Sequence, residues 1–169
     1  MLVRTFLSAG LDTTILGIGA AIKALAENPD AWNALRADPG RARTVFEETL
    51  RRFPTSPYIG RTAARDVELA GVSIKAEQKV LMLLGAANHD PRRWENPERF
   101  DIERDTTGHL AFGTGIHGCV GQMMARMEAE CLLGALAEQA QSIELIDSPA
   151  PTFSNWLRGY DSLPVRVTS

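Results

Sequence analysis

The chain has 169 residues, 44% hydrophobic and 23% charged, with 14 glycines, 9 prolines and 2 cysteines. These fractions lie near ordinary globular usage of about 45–50% apolar and 25% charged, which excludes collagen-like and disordered chains and predicts one domain. A formal charge of −3 leaves no electrostatic footprint for nucleic acid or an anionic bilayer, and two cysteines are too few for a disulfide framework, so a reducing compartment is expected.

Residues 2 to about 26 read as one long helix, apolar on several faces: Phe6, Thr13, Gly17 and Ala20 on one, with Leu7, Leu11, Ile15, Ile18, Ile22 and Leu25 elsewhere. Such a pattern predicts a helix buried on all sides. Arg4, Asp12 and Lys23 interrupt it, short of the ~18 apolar residues of a membrane span, and an acid in its middle does not suit a signal peptide. Asn28-Pro29 and Asp38-Pro39 each read as an N-cap followed by proline at the first helical position, opening helices to about residue 37 and about residue 52. Past Pro54 and Pro57, β-branched residues and turns at Ala70-Gly71 and around Lys75 to Gln78 predict short strands near 58–61, 67–69, 72–74 and 79–83. A proline-rich meander containing Asp90-Pro91, Asn96-Pro97 and Phe100 follows. Then come four glycines around Cys119, a helix from about 120 to 140, and edge strands at 143–146 and 163–167. The fold class expected is α+β, mostly helical.

The segment Phe112-Gly113-Thr114-Gly115-Ile116-His117-Gly118-Cys119-Val120-Gly121 carries the most chemistry. A cysteine at a helix N-terminus meets unpaired N–H groups and the positive end of the macrodipole, which favour a thiolate able to act as ligand or nucleophile. Flanking glycines let backbone N–H groups approach the sulfur, as around an iron-bound thiolate. A lone cysteine can also be a small buried hydrophobe. Gly113-x-Gly115-x-x-Gly118 spells the dinucleotide fingerprint too, but polar turn residues Thr106 to His109 stand where a buried strand is required. Zinc is poorly served, because Cys131 lies mid-helix and no Cys-x-x-Cys pair exists.

Glu48 and Arg51 are three apart on a helix, close enough to pair. Exposed, such a pair is worth ~0.2–1 kcal/mol; buried, losing one partner costs ~3–5 kcal/mol, and Arg99 of Pro97-Glu98-Arg99-Phe100 is a candidate third member. In Ala9-Gly10-Leu11-Asp12-Thr13-Thr14 a carboxylate and two hydroxyls interrupt an apolar helix. Either a threonine bonds back to the i−4 carbonyl and bends the helix, or the stretch opens to hold a small ligand and pass it protons.

Together these four segments, in this order, resemble a bacterial cytochrome P450, and the resemblance covers essentially the whole chain as the C-terminal portion of that fold: central long helix, Glu-x-x-Arg helix, small β-sheets, cysteine-ligand loop and following helix. It implies a single haem-binding unit over residues 1–169 with the N-terminal portion absent, a fragment that exposes apolar surface by itself. By resemblance Cys119 is the axial thiolate of haem b. Asp12 and Thr13 deliver protons on the distal side, which Ala9 and Gly10 line. Phe112, Gly113 and Gly121 shape the loop against haem, Arg61 and His117 pair with its propionates, and Glu48, Arg51 and Arg99 form the structural network behind the loop.

The implied function is a cytoplasmic monooxygenase, an oxidoreductase inserting one atom of O2 into a small organic substrate with two electrons from a ferredoxin- or flavodoxin-type donor, without nucleic acid or membrane. Thr55 to Gly60 and Asn155 to Leu157 correspond to substrate-touching segments. Leu84 to Asn88 and Leu157 to Gly159 are similar to members that oxidise para-substituted benzoates. Arg52 and Arg126 offer a basic patch for an acidic ferredoxin. A non-catalytic haem-binding remnant and a dinucleotide-binding domain are the alternative functions.

Overall fold

In the computed structural model, which describes residues 2–169 and side chains from residue 9 onward, the chain opens with a 26-residue helix, α1 (Leu2–Glu27). Its burial is one-sided. Ala20, Ala21, Ala24 and Leu25 are buried, while Leu11 and Ile15 stand exposed, which corrects the expectation of burial all round; the side chains of Phe6 and Leu7 lie outside the described residues. The alanine face permits close approach, and at Gly17 an added Cβ would sit 3.4 Å from the Phe46 ring. By length and composition Ala9–Glu27 would suffice to cross a membrane, yet its alanine face is part of the protein core.

Asn28 occupies the N-cap position of α2 (Pro29–Ala37) without capping it, and its Nδ2 donates instead to Ala24 O at 2.7 Å, closing the end of α1. Asp38 does cap, its Oδ1 accepting from Gly40 N at 3.1 Å, but it opens a single 3-10 turn (Pro39–Arg41) that precedes α3 (Ala42–Arg52). The single helix expected from residue 38 is therefore two elements.

Eight strands follow, β1 (Ile59–Thr62), β2 (Val67–Leu69), β3 (Val72–Ile74), β4 (Lys79–Met82), β5 (Ser142–Leu145), β6 (Ala150–Pro151), β7 (Tyr160–Ser162) and β8 (Val165–Thr168). They form four separate antiparallel pairs, β1–β4, β2–β3, β5–β8 and β6–β7. Ala70 and Gly71, with φ of 49° and 79°, give the β2–β3 hairpin the doubly left-handed turn that matches strand twist. The short helix α4 (Leu84–Ala87) and the pairing of β6 with β7 have no counterpart in the periodicity, being four and two residues long.

The core lies where α1, α2, α3 and the last helix, α5 (Gln122–Gln139), meet, with Leu25, Leu35, Val45, Phe46 and Leu133 fully or almost fully enclosed. Each such side chain contributes ~1.5–3 kcal/mol by burial. Trp32 ties this core to the C-terminal strands by donating Nε1 to Gln141 O at 3.0 Å. At Gly159 a Cβ would come within 2.4 Å of Leu16 Cδ2, so only glycine lets the C-terminal loop rest on α1.

Candidate haem-thiolate site

The cysteine loop is fastened from behind by a buried ion network. On α3, Glu48 and Arg51 are both 0% exposed, and the guanidinium grips the carboxylate with two bonds, Nε to Oε2 at 2.7 Å and Nη2 to Oε1 at 2.9 Å. Arg51 also donates to Asn88 O at 2.8 Å and Pro97 O at 2.9 Å, while Glu48 Oε1 accepts the Asp101 N–H at 3.0 Å. Two charged groups thus satisfy the backbone of an irregular meander that no sheet supports. The third member is not the one expected. Arg99 points outward, 72% exposed and 4.0 Å from Asp101, whereas Arg104, 10% exposed, reaches Glu48 with Nε at 3.3 Å and the carbonyl of Glu95 with Nη1 at 2.6 Å. Only the Arg99 carbonyl joins the network, 3.4 Å from Arg51 Nη2.

Asn88 carries the support onward by accepting the Leu110 N–H on its Oδ1 at 2.8 Å. Beyond Leu110 the chain turns at Gly113, φ 68°, where a Cβ would lie 3.0 Å from His117 O. A second 3-10 turn (Gly115–His117) follows, and the Cys119 N–H donates to Phe112 O at 2.8 Å, closing the loop on itself. α5 begins at Gln122 with Gly121 as N-cap, so Cys119 stands three residues ahead of the helix rather than on its first turn. Cys119 and Cys131 are both free and exposed.

Cys119 lines a cavity of about 300 Å³ together with Ala9 and Thr13 of α1, Arg61 of β1, and Phe112, Gly113 and His117 of the loop. Gly10 and Gly121 are not among its walls and border a neighbouring cavity of about 550 Å³ between α1 and the start of α5. Asp12 is exposed and lines neither space. Thr13 Oγ1 donates to Ala9 O at 3.0 Å, the back-bonded arrangement. Arg61 donates only to Gly60 O at 2.9 Å and meets no carboxylate among the described residues.

These features fit haem: an accessible sulfur, a cation without an acid beside it, and a glycine cradle on one side of a cavity whose other wall is a helix. Ile116 and Val120, both exposed on either side of Cys119, add apolar surface suited to a flat macrocycle. Among the described residues no cluster of three or more His, Cys, Asp or Glu is placed to hold a bare metal ion, and turns rather than a strand precede Gly113, which removes the footing of the dinucleotide reading.

Thr55 to Gly60 and Asn155 to Leu157 come together, Arg158 N donating to Thr55 O at 2.8 Å and Trp156 meeting Tyr58 edge-on with ring centroids 6.0 Å apart. Arg52 and Arg126 do not form a patch. Arg52 is paired with Glu98 at 2.9 Å and borders a different cavity beside His89 and Arg158, and Arg126 is largely buried against Glu47.

The cytochrome P450 family profile matches residues 42–139. The chain is 52% identical over 168 residues to cytochrome p450 CYP199A2 of Rhodopseudomonas palustris, covering 99% of this chain and 41% of that protein. It is 43% identical over 169 residues to cytochrome P450 107B1 of Saccharopolyspora erythraea, covering 98% and 42%. The solved structure of CYP109Q5 from Chondromyces apiculatus superposes with a TM-score of 0.93 at 40% identity over 98% of this chain and 43% of that one. An α+β, mostly helical fold with a cysteine loop facing a helix across a cavity defines a haem-thiolate protein. The chain belongs to the cytochrome P450 family, whose members bind haem iron through a cysteine thiolate. It spans about two fifths of the length of these relatives, 41% and 42%.

Proposed function

We propose that residues 1–169 supply the thiolate side and the oxygen-facing helix of a cytoplasmic haem-thiolate monooxygenase. The observation that carries this reading is the shared cavity: Cys119, from the glycine loop, and Ala9 and Thr13, from a helix more than a hundred positions earlier, line one space. Haem held there would supply oxygen activation, favoured by electron density from the Cys119 thiolate.

The chain's own residues divide the remaining work. Cys119 Sγ would hold the haem iron, and the bond from its N–H to Phe112 O fixes the backbone from which the sulfur projects. The Arg61 guanidinium and the His117 ring, both on the cavity wall, would bind the propionates, where a charge-assisted bond is about twice as strong as a neutral one. Thr13 Oγ1 rests on Ala9 O with its lone pairs free to accept. To give a proton into the cavity its hydroxyl turns away from that carbonyl, and Asp12, exposed one residue earlier, restores the proton from solvent. Thr55, Ser56 and Ile59 line the same space and bound the substrate, with Trp156 and Tyr58 bracing that segment.

The substrate class proposed is a para-substituted aromatic acid, supported by the similarity of Leu84 to Asn88 and Leu157 to Gly159 to members that oxidise such acids. Electrons come from a ferredoxin- or flavodoxin-type donor. The test is turnover of 4-methylbenzoate to its benzylic alcohol by the haem-loaded chain with such a donor and isotope-labelled dioxygen. Product carrying one labelled oxygen atom is expected, with Thr13→Ala diverting consumed oxygen to peroxide. Oxygen uptake that yields peroxide alone and is equal in Cys119→Ala would contradict the proposal.

A further inference from the structure

One residue before Glu48, a second carboxylate on α3 makes contacts that neither the sequence motifs nor the ion network behind the meander includes. Glu47 accepts a hydrogen bond from His109 Nε2 at 2.8 Å on Oε2, and both its oxygens are held by the Arg126 guanidinium, Nε on Oε1 and Nη2 on Oε2 at 3.2 Å. The Ala111 N–H donates to His109 Nδ1 at 3.2 Å, which puts the ring proton on Nε2, facing the carboxylate. All three side chains are largely buried, at 13% exposure for Glu47, 6% for His109 and 14% for Arg126. Burial by itself would raise the Glu47 carboxyl, but the hydrogen bonds from His109 and Arg126 and the charge of the guanidinium outweigh it and hold the pKa at about 2.

Both partners of Glu47 rest on the same aromatic ring. The Arg126 guanidinium carbon lies 4.5 Å from the centroid of Phe112, and the His109 ring lies 6.0 Å from it at a tilt of 45°. Phe112 is the residue whose carbonyl accepts the Cys119 N–H. A chain of contacts therefore runs from a core helix, through a carboxylate and two flanking side chains, to an aromatic ring and on to the cysteine amide. α3 is anchored by Val45, Phe46 and Leu50 in the core, whereas 108–118 is a loop with three left-handed glycines, Gly108, Gly113 and Gly115.

We infer that Glu47 is a positioning residue for the haem-ligating cysteine: it clamps His109 and Arg126 onto Phe112 and so fixes the carbonyl that orients the Cys119 amide. No member of the clamp touches the sulfur, so its effect on the ligand passes through the Phe112 backbone. The inference rests on the haem-thiolate reading for its consequence at iron, but the clamp itself is testable without haem.

The first measurement is amide hydrogen exchange of Cys119 in the haem-free chain. Glu47→Gln keeps the shape and one acceptor but removes the charge, and a charge-assisted bond of this kind is worth enough to speed exchange at Cys119 by about tenfold. Arg126→Ala gives the same result, and Arg126→Lys, which keeps the charge but not the planar fork, recovers part of the protection. Arg43→Ala, removing a half-exposed pair with Glu130 at 3.2 Å that also joins α3 to α5, leaves the Cys119 amide as in the parent chain.

The second measurement is the reduced, carbon-monoxide-bound spectrum after haem loading. The clamp variants convert from the thiolate band to the neutral-thiol band several times faster than the parent, and their ferric/ferrous potential shifts, which loss of stability alone would not produce. Parent-like exchange at Cys119 in both Glu47→Gln and Arg126→Lys, with a lowered global melt, would overturn the inference by reducing the clamp to a stabilising contact. A parent thiolate band that survives Cys119→Ala, together with the expected exchange pattern, would instead overturn the haem-thiolate reading and leave the clamp standing. Should Glu47→Gln fail to fold, Arg126→Lys decides the question.

Discussion

Glu47 and Glu48 are neighbours on one helix, each gripped by an arginine through two bonds, yet they hold different things. Glu48 is wholly enclosed, and apart from Arg104 it and Arg51 direct their remaining bonds to main-chain groups, Asn88 O, Pro97 O and Asp101 N. Glu47 retains some contact with solvent and holds side chains, an imidazole and a guanidinium that rest on Phe112. One carboxylate keeps irregular backbone folded and the other aims a ring. Adjacent residues on a helix diverge by about 100°, so a single rigid element can serve the meander with one face and the cysteine loop with the next.

The largest effect is expected on the Glu48 side. Arg51→Ala leaves an enclosed carboxylate with only Arg104 beside it and should cost ~3–5 kcal/mol in urea unfolding. The double variant Glu48→Leu with Arg51→Met should recover part of that loss. No loss in Arg51→Ala would remove the distinction between the two carboxylates.

Next comes the loop itself. Gly113→Ala puts a side chain at φ 68° and its Cβ 3.0 Å from His117 O, a strain of ~1–3 kcal/mol that should appear as rapid exchange confined to residues 110–119. Exchange that spreads through α3 instead would mean that the loop supports the helix rather than the reverse.

A smaller effect is expected from acid. The Glu47 carboxyl is lowered in the folded chain from its ordinary 4.5 to about 2, so the stability it contributes is present above 4.5 and is lost as pH falls toward 2. Asp66, Asp90 and Asp105 are also lowered, by hydrogen bonds to Ala76, Arg92 and Thr107 in turn, so the parent loses stability in this window for several reasons. The difference between the parent and Glu47→Gln isolates one of them: the urea midpoint of the parent should fall more steeply between pH 4.5 and 2. Parallel curves would show that Glu47 gains nothing from its partners.

The smallest change belongs to Arg43→Ala. Its pair with Glu130 bridges the same two helices from an exposed position and should be worth ~0.2–1 kcal/mol.

How much of this was legible in the sequence follows from range. The hairpin of β2 and β3 was readable to the residue because its turn requires left-handed backbone at Ala70-Gly71, a local demand. The cysteine loop was readable for the same reason, Gly113 and Gly115 standing at left-handed φ and Gly113 and Gly118 where a Cβ would press on backbone carbonyls. Arg104 was not, since it meets Glu48 across 56 positions of irregular chain while Arg99 occupies the more regular-looking motif. Glu47, His109 and Arg126 were missed as a set, being 62 and 79 positions apart, and only Arg126 drew notice, as a surface charge it turns out not to be. The one-sided burial of α1 was hidden because apolar residues on several faces look alike until it is known which face the other elements cover.

The most direct test of the account is the reduced carbon monoxide spectrum of the haem-loaded chain, with Cys119→Ala and Cys131→Ala alongside. A strongly red-shifted Soret band that survives in Cys131→Ala and vanishes in Cys119→Ala is predicted. A band unaffected by Cys119→Ala would contradict the assignment of Cys119 as the iron ligand of this chain.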